Sequence, residues 1–420
     1  MPIVDGIPFM TKVRSDMAYS PDAPRARSPL SLPELTVMLA SLVATVAFSI
    51  DAMLPALPQI AAELSPDAVN RAQLVLSAFV LGMGIGTFVA GPISDAIGRK
   101  RTINGGIAIY LVAAFTAAHA QSLEALLAAR VLQGIGAAGP RITVMALVRD
   151  LFKGREMAKV TSFIMMIFIL VPAVAPSIGS LVIAAAGWRG VFWAFMAFGL
   201  IGVSWLNLRQ PETLPPEHRR PLSLSKLGEA AREVLAHSDV RLYIVTLTLG
   251  FGQMFALLST APQLYAAHGV RETFPLWFAI GALMAGTGAV FNARFVMHLG
   301  MRRIVKGSYL MQIGVSSVMM GLVLAGFTDG SAGFPFIFLY TVSVFWMAGV
   351  TFGNLNALAL ERMGHIAGMA ASLVTAISTV GAVAIAVPVG LAFNGTALPM
   401  VSATLICSSL AWWLIRKTQE

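Results

Sequence analysis

The sequence predicts an all-α membrane protein whose twelve transmembrane helices form two six-helix bundles around a central cavity. Three observations carry that expectation. Apolar runs of about 20 residues, the length a helix needs to cross a hydrocarbon core of about 30 Å, recur along the whole chain. The basic residues crowd onto alternate loops. One apolar run, RVLQGIGAAGPRITVMALVRD at 130–150, carries two arginines, Arg130 and Arg141, well inside it. Composition agrees: 57% of the 420 residues are hydrophobic and only 12% are charged, and the mean hydropathy is +0.78, far from the usual soluble balance. A net charge of +9 would suit nucleic acid in a soluble chain. In a membrane chain the placement of charges matters more than their sum, and no nucleic-acid partner is expected.

Taken in order, residues 1–33 are polar and proline-rich, with Lys12, Arg14, Arg25 and Arg27 and no apolar stretch leading to a cleavage site. They read as a cytoplasmic tail rather than a signal peptide. Spans then follow at 35–58, 70–94, 102–121, 124–149, 157–186 and 189–208, making an N-terminal bundle over 34–208. A polar linker over 209–239 holds Pro211, Pro215, Pro216 and Pro221 and an amphipathic pattern around 225–235. Six more spans lie at 240–266, 273–297, 303–326, 333–358, 364–393 and 396–415, a C-terminal bundle over 240–416, before a short cytoplasmic end at 417–420. Of the 29 lysines and arginines, 24 fall on the tails and loops of one side and three, Arg71, Arg189 and Arg271, on the other. That asymmetry places both termini in the cytoplasm.

The halves repeat. GPISDAIGRKR at 91–101 follows the second span, and NARFVMHLGMRR at 292–303 follows the eighth. Basic clusters are poorly placed at a helix N-terminus on dipole grounds, so their recurrence fits membrane topology and a gate better than helix stabilisation. Two such halves are the pattern of a rocking transporter with its site between them.

Within the spans, Arg130 and Arg141 stand eleven residues apart, which returns a helix to within roughly 20° of the same face about 16 Å further along. A guanidinium at that depth is costly and normally faces a bundle interior or a wet cavity; the plainer alternative is snorkelling to a headgroup. Asp51 lies about 24 Å along the first span, at the depth of Arg130. The two can pair, and conformation would then decide whether the carboxyl holds a proton. The alternatives are a static ion pair or an aspartate facing interfacial water near Pro55 and Pro58. Gly91, Asp95, Gly98 and Arg99 form a short loop that can clasp Asp150 in one conformation and release it in another, unless they serve only as topogenic charge.

Pro172, Pro176 and Gly179 on the fifth span are expected to kink it and to let a neighbour approach. Gly134, Gly136 and Gly139 spell GxGxxG, but with no strand before them they read as helix packing, not a dinucleotide site. Cavity candidates are Arg141, Gln133, Met165 and Met166 in the first half. In the second they are Gln253, Met254, Phe255, Asn292, Gln312, Trp346, Asn354 and Asn356. His119, His268, His298 and His365 fall near helix ends and read as solvated. The lone Cys407 allows no intrachain disulfide and no cysteine-based metal site. With no ATP-binding loop, metalloprotease motif or placed catalytic triad, neither an enzyme nor a cofactor or metal is expected.

GPISDAIGRKR resembles the loop signature of the major facilitator superfamily. ARVLQGIGAAG and the 172–179 run resemble the fourth- and fifth-helix signatures of its proton-coupled antiporters. SIDAMLPALP, VRDLF at 148–152, STAPQLYAAHGV at 259–270, FNARFV at 291–296 and AGMAASL at 367–373 are similar to the bicyclomycin-resistance (Bcr/CflA) drug exporters, across about 35–415. The resemblance implies a monomeric, multi-pass antiporter of the bacterial inner membrane that expels drugs against inward proton flow. Its partners would be the bilayer, a small-molecule substrate and protons, with Asp51 and Arg130 at the coupling positions. Two features depart from that family: Arg141 stands where a small or apolar residue is expected, and no second acid accompanies Asp51. A cationic cavity would favour neutral or anionic substrates. Alternative readings are a dedicated metabolite or siderophore exporter, or a facilitator, which should tolerate Asp51→Asn. A membrane enzyme lacks its nucleophile, and a sensor on a transporter scaffold would move no protons.

Overall fold

The computed structural model describes residues 28–418 apart from 220, and omits the side chains of 169, 224 and 226. The tail at 1–27, with its four basic residues, and the last two residues lie outside it. The helices are α1 Leu32–Asp51, α2 Leu57–Leu64, α3 Leu74–Ile97, α4 Arg99–Ala118, α5 Leu123–Leu151 and α6 Gly154–Arg209. They continue with α7 Leu224–Ala236, α8 Ser238–Ala267, α9 Phe274–Leu299, α10 Met301–Leu324, α11 Phe334–Leu360, α12 Ala367–Leu391 and α13 Leu398–Ile415. Straight, the 56 residues of α6 would span about 84 Å, far more than one crossing. Gly187, at φ +66°, folds it into two arms. Glu63 of α2 pins that bend, accepting from Trp188 Nε1 at 2.7 Å and Arg189 Nη1 at 2.6 Å. Among the described residues eleven helical stretches are long and apolar enough to cross a membrane, with α1 and α2 as one and α7 outside the set; counting the two arms of α6 separately gives the expected twelve.

The first span departs from the continuous helix expected over 35–58. Helix α1 stops at Asp51, a short 3-10 turn occupies Leu54–Ala56, and α2 resumes at Leu57. Proline is the cause. Pro55 has no N–H for the Asp51 carbonyl and Pro58 none for Leu54, so the α-helical ladder cannot pass this point. Asp51 therefore sits at a break inside the first span.

The internal repeat is visible as geometry. Gly98 between α3 and α4 and Gly300 between α9 and α10 take the same left-handed turn, at φ/ψ of 105°/160° and 79°/149°. Only glycine takes such angles without strain, which explains the residue before each basic cluster. In the first half α5 lies between α3 and α4, and α6 lies along α1 and α4. In the second half α8 packs on α11, α12 and α13, α9 packs on α11, and α10 packs on α11 and α13. The halves meet where α3 runs along α12 and α6 along α9. The linker pattern at 225–235 is the core of α7, whose Leu227, Ala230 and Val234 are buried with Tyr243, Ile244 and Met363 of the second half.

The GxGxxG run is a packing device. A methyl at Gly134 would collide with the Phe79 carbonyl, and one at Gly136 would lie 2.6 Å from the Gly106 carbonyl oxygen. One at Gly139 would lie 3.2 Å from the Gly106 Cα. Gly82 of α3 meets the Val131 backbone of α5 in the same way. Such close backbone approach drives association where lipid removes the hydrophobic contrast between helices.

One histidine corrects the solvated reading. His268 is 4% exposed, with Nδ1 2.7 Å from the Leu264 carbonyl and Nε2 2.8 Å from the Thr328 carbonyl. It ties the end of α8 to the segment after α10 because its chain position brings two backbone acceptors to one ring. His365 bonds Glu233 of α7 at 2.7 Å, His119 packs on Phe115 and Trp193, and His298 is exposed.

The glycine packing makes a direct prediction. Gly136→Ala should destabilise the fold by about 1–3 kcal/mol through overpacking. Gly105→Ala, where an added methyl meets nothing within 4 Å, should be neutral or slightly stabilising. Cys407, the single cysteine and 5% exposed, reports the difference when a thiol-reactive dye follows thermal unfolding.

Candidate functional site

Arg130 is fully buried at 0% exposure, and its donors are spent in three directions. Nε donates to the Val75 carbonyl at 3.2 Å, Nη1 to Gln133 Oε1 at 2.7 Å, and Nη2 to the Ser49 carbonyl at 3.1 Å. The Phe79 ring lies 4.4 Å from its guanidinium carbon. The Ser49 hydroxyl also bonds the Tyr110 hydroxyl at 2.6 Å. One guanidinium thus joins α1, α3 and α5, and Ser49 extends the network to α4. A fixed planar fork can serve carbonyls in several directions, as a lysine ammonium on a flexible stem cannot. The Gln133 amide nitrogen is sealed in beside it without a partner.

Asp51 is 3% exposed and is the only buried carboxylate among the described residues. The ion pair that its depth permits is not formed: Arg130 bonds the backbone of Ser49 instead. Residues two apart on a helix face nearly opposite ways, so a guanidinium seated at Ser49 does not meet the side chain of Asp51. The Asp51 oxygens make no hydrogen bond, yet they are not among the sealed, unpartnered atoms of the described residues. They therefore touch accessible space. Beside them, α6 comes so close that a methyl at Gly179 would collide with the Ala52 carbonyl. Pro176 is buried with Gly179 and Pro172 is half-buried, so the fifth-span motif lies against the break in the first.

At the Arg99 end the structure brings the loop residues together. Arg99, 7% exposed, pairs with Asp95 on one side and with Asp150 Oδ2 at 2.8 Å on the other, and its Nη1 reaches Ser94 Oγ at 3.1 Å. Gly91 is placed differently: a methyl there would lie 3.2 Å from Ser372 Oγ of α12, across the two halves. The sequence reading missed Glu212. Its carboxylate accepts from the Arg99 and Lys100 backbone N–H groups at 2.9 and 3.1 Å, capping α4 from the linker. Thr213 Oγ1 donates to Asp150 Oδ2 at 3.1 Å. No local pattern announces a cap supplied from 113 residues away.

At the opposite end, hydrogen bonds cross between the halves. Asn70 Nδ2 donates to the Leu391 and Phe393 carbonyls at 3.1 and 2.6 Å. Gln73 Nε2 donates to Gln263 Oε1 at 2.5 Å. These residues too were missed, since polar side chains near a helix end carry no signal of a distant partner.

The remaining candidates divide. Gln253 accepts from Ser408 Oγ at 3.1 Å, and Gln312 donates to Ser316 and Ser343. Asn354 donates to Asn292 Oδ1 at 2.7 Å, tying α11 to α9, and Asn356 donates to the Phe352 carbonyl of its own helix. Trp346 packs at a tilt against Phe291, ring centroids 5.3 Å apart, and Phe255 is buried near Phe251. Met254 is half-buried, while Met165 and Met166 are exposed on α6. Arg141 is half-buried, and its one hydrogen-bond contact among the described residues is Met83 Sδ at 3.5 Å.

The Major Facilitator Superfamily profile matches residues 37–386. The chain belongs to that superfamily. It is 30% identical over 401 residues to the uncharacterized MFS-type transporter YdgK of Bacillus subtilis, covering 94% of this chain and 97% of that one. It is 29% identical over 378 residues to a bicyclomycin resistance protein homolog of Haemophilus influenzae, covering 88% and 92%. The xylose transporter XylE of E. coli, solved in a partially occluded inward open conformation, superposes with a TM-score of 0.71 at 14% identity. That match covers 93% of this chain and 98% of that one. This superfamily member is thus a multi-pass membrane transporter and not an enzyme; it works among lipids on small molecules.

Two substitutions test the network. Arg130→Lys should cost about 3 kcal/mol or more, because a single ammonium cannot replace hydrogen bonds worth about 1.5–3 kcal/mol each. It should appear as a lowered midpoint in the Cys407 dye assay. Glu212→Ala should cost about 1 kcal/mol as a lost helix cap. Glu212→Gln, which keeps an accepting oxygen, should cost less than half as much in the same measurement.

Proposed function

We propose that this transporter exports small organic compounds, drugs among them, across the bacterial inner membrane in exchange for protons. The observation that carries the reading is Asp51: a carboxyl buried at the break of the first span, unbonded and reached by accessible space. A proton crossing the protein needs a group that can take it up and release it within the membrane, and intramembrane carboxyls serve this purpose in pumps and transporters. Arg130 keeps the helices around Asp51 in register without neutralising it. Substrate and proton would compete for one conformational cycle, each favouring the state it binds better.

In this reading the basic Arg99 end faces the cytoplasm, as the distribution of lysine and arginine favours, and both termini lie there. The inter-half hydrogen bonds of Asn70 and Gln73 then close the outer side. The Arg99–Asp150 clasp and the Glu212 cap lie on the inner side, where rocking would load and unload them. The name of the Haemophilus relative supports drugs as the substrate class, and the protein is taken to act as a monomer with the proton gradient as its energy source.

The test uses proteoliposomes that hold a pH-sensitive dye, with an imposed proton gradient and a panel of neutral, anionic and cationic compounds. Substrate-evoked proton release is expected from the wild type. Asp51→Asn should abolish it while substrate still equilibrates. Undiminished proton release from Asp51→Asn would sink the assignment.

A further inference from the structure

The two intramembrane arginines are not equivalent. Arg130 is sealed at 0% exposure, with three N–H groups committed to Val75, Ser49 and Gln133. Arg141, on the same face of α5 and about 16 Å away along the axis, has no carboxylate among the ion pairs of the described residues. Among the described residues its sole hydrogen-bond contact is a methionine sulfur at 3.5 Å, a weak acceptor. Its Nε and Nη2 are unbonded and yet absent from the sealed, unpartnered atoms, so they face accessible space. Its surroundings lie at the seam between the halves. Gly84, next to Met83, is so close to α12 that a methyl there would lie 2.8 Å from Val380. A methyl at Gly91 would touch both Ser372 of α12 and Ile142, the residue after Arg141.

Asp51, Arg130 and Arg141 are the charged side chains deep within the spans, and Asp51 pairs with neither arginine, so no acid among the described residues offsets Arg141. Arg130 spends three of its five N–H groups and is fully buried, so no ligand reaches it; Arg141 spends none of its own on an oxygen acceptor. A planar guanidinium with free N–H groups matches a carboxylate in bidentate geometry.

We propose that Arg141 is the anion-binding point of the transport path, and that the preferred substrates are small organic acids carrying one negative charge. The proposal rests on the exporter reading above and deepens it by naming the substrate class. A transported solute, rather than a fixed lipid headgroup, is favoured because the guanidinium lies at the seam that must open and close.

The test measures binding and transport by the full chain in phosphatidylcholine nanodiscs and liposomes, with and without phosphatidylglycerol. The probes are a panel of aromatic carboxylates, each paired with its primary amide, together with ethidium as a cation. In the wild type the best-bound acid should bind roughly ten- to a hundredfold more tightly than its amide, the range expected of a charged hydrogen bond. Arg141→Ala should erase that difference by weakening the acid and leaving the amide within about twofold, and Arg141→Lys should restore part of it. Equal binding of acids and amides by the wild type, with amides or ethidium still transported, would overturn the proposal and leave the exporter standing. Movement of no compound at all would overturn both. Selective retention of phosphatidylglycerol by the wild type over Arg141→Ala, without an acid–amide difference, would assign the guanidinium to lipid and overturn the proposal.

Discussion

The structure depends on how one guanidinium is accommodated where water is absent. A charged group in hydrocarbon is tolerated only if its hydrogen-bonding capacity is met by the protein. Arg130 meets that condition with backbone carbonyls of α1 and α3 and a glutamine of its own helix. This requirement draws three helices to one point and sets their relative heights. The glycines below it let α3 and α4 come into backbone contact with α5. Bonding and close approach reinforce each other: without the small residues the carbonyls would be out of reach, and without the guanidinium the contact would have no register.

Asp51 gains its character from this arrangement and from two prolines. Pro55 and Pro58 end the first helix at the acid, and the Arg130 side chain is seated half a turn earlier. The carboxyl is left buried but unneutralised, close to the fifth-span glycine. In the functional reading, immobile charge and exchangeable charge are thereby kept apart. Arg141 is a third case, a guanidinium that neither the backbone nor an acid has claimed. A network of satisfied groups supports rigid halves, whereas an unspent donor at the seam is available to a ligand.

The ends of the molecule use different devices. At the Arg99 end the pairs lie within the first half and its linker, with Glu212 capping α4 and Thr213 reaching Asp150. At the Asn70 end the hydrogen bonds run from one half to the other. Bonds that cross between rocking bodies must break when those bodies separate, whereas bonds within one body can persist. The linker helix α7 adds an apolar anchor on the second half, so Glu212 at one end and Leu227 at the other tie the linker to both.

The sequence by itself determined the class, the number of crossings and the halves, because spanning length, charge asymmetry and the paired glycine–basic turns are local or periodic signals. It also marked Arg130, Asp51 and the Arg99 loop as unusual, since a charge in an apolar run stands out against its neighbours. Only the tertiary structure decided which partners those residues take. That Arg130 seats on the Ser49 carbonyl rather than on Asp51, that His268 is buried between two carbonyls, and that Glu212 caps α4 all depend on groups far apart in the chain. Such partnerships are set by helix rotation and approach, to within a fraction of a turn. Hydropathy and spacing fix depth along the membrane normal, but they leave that rotation open.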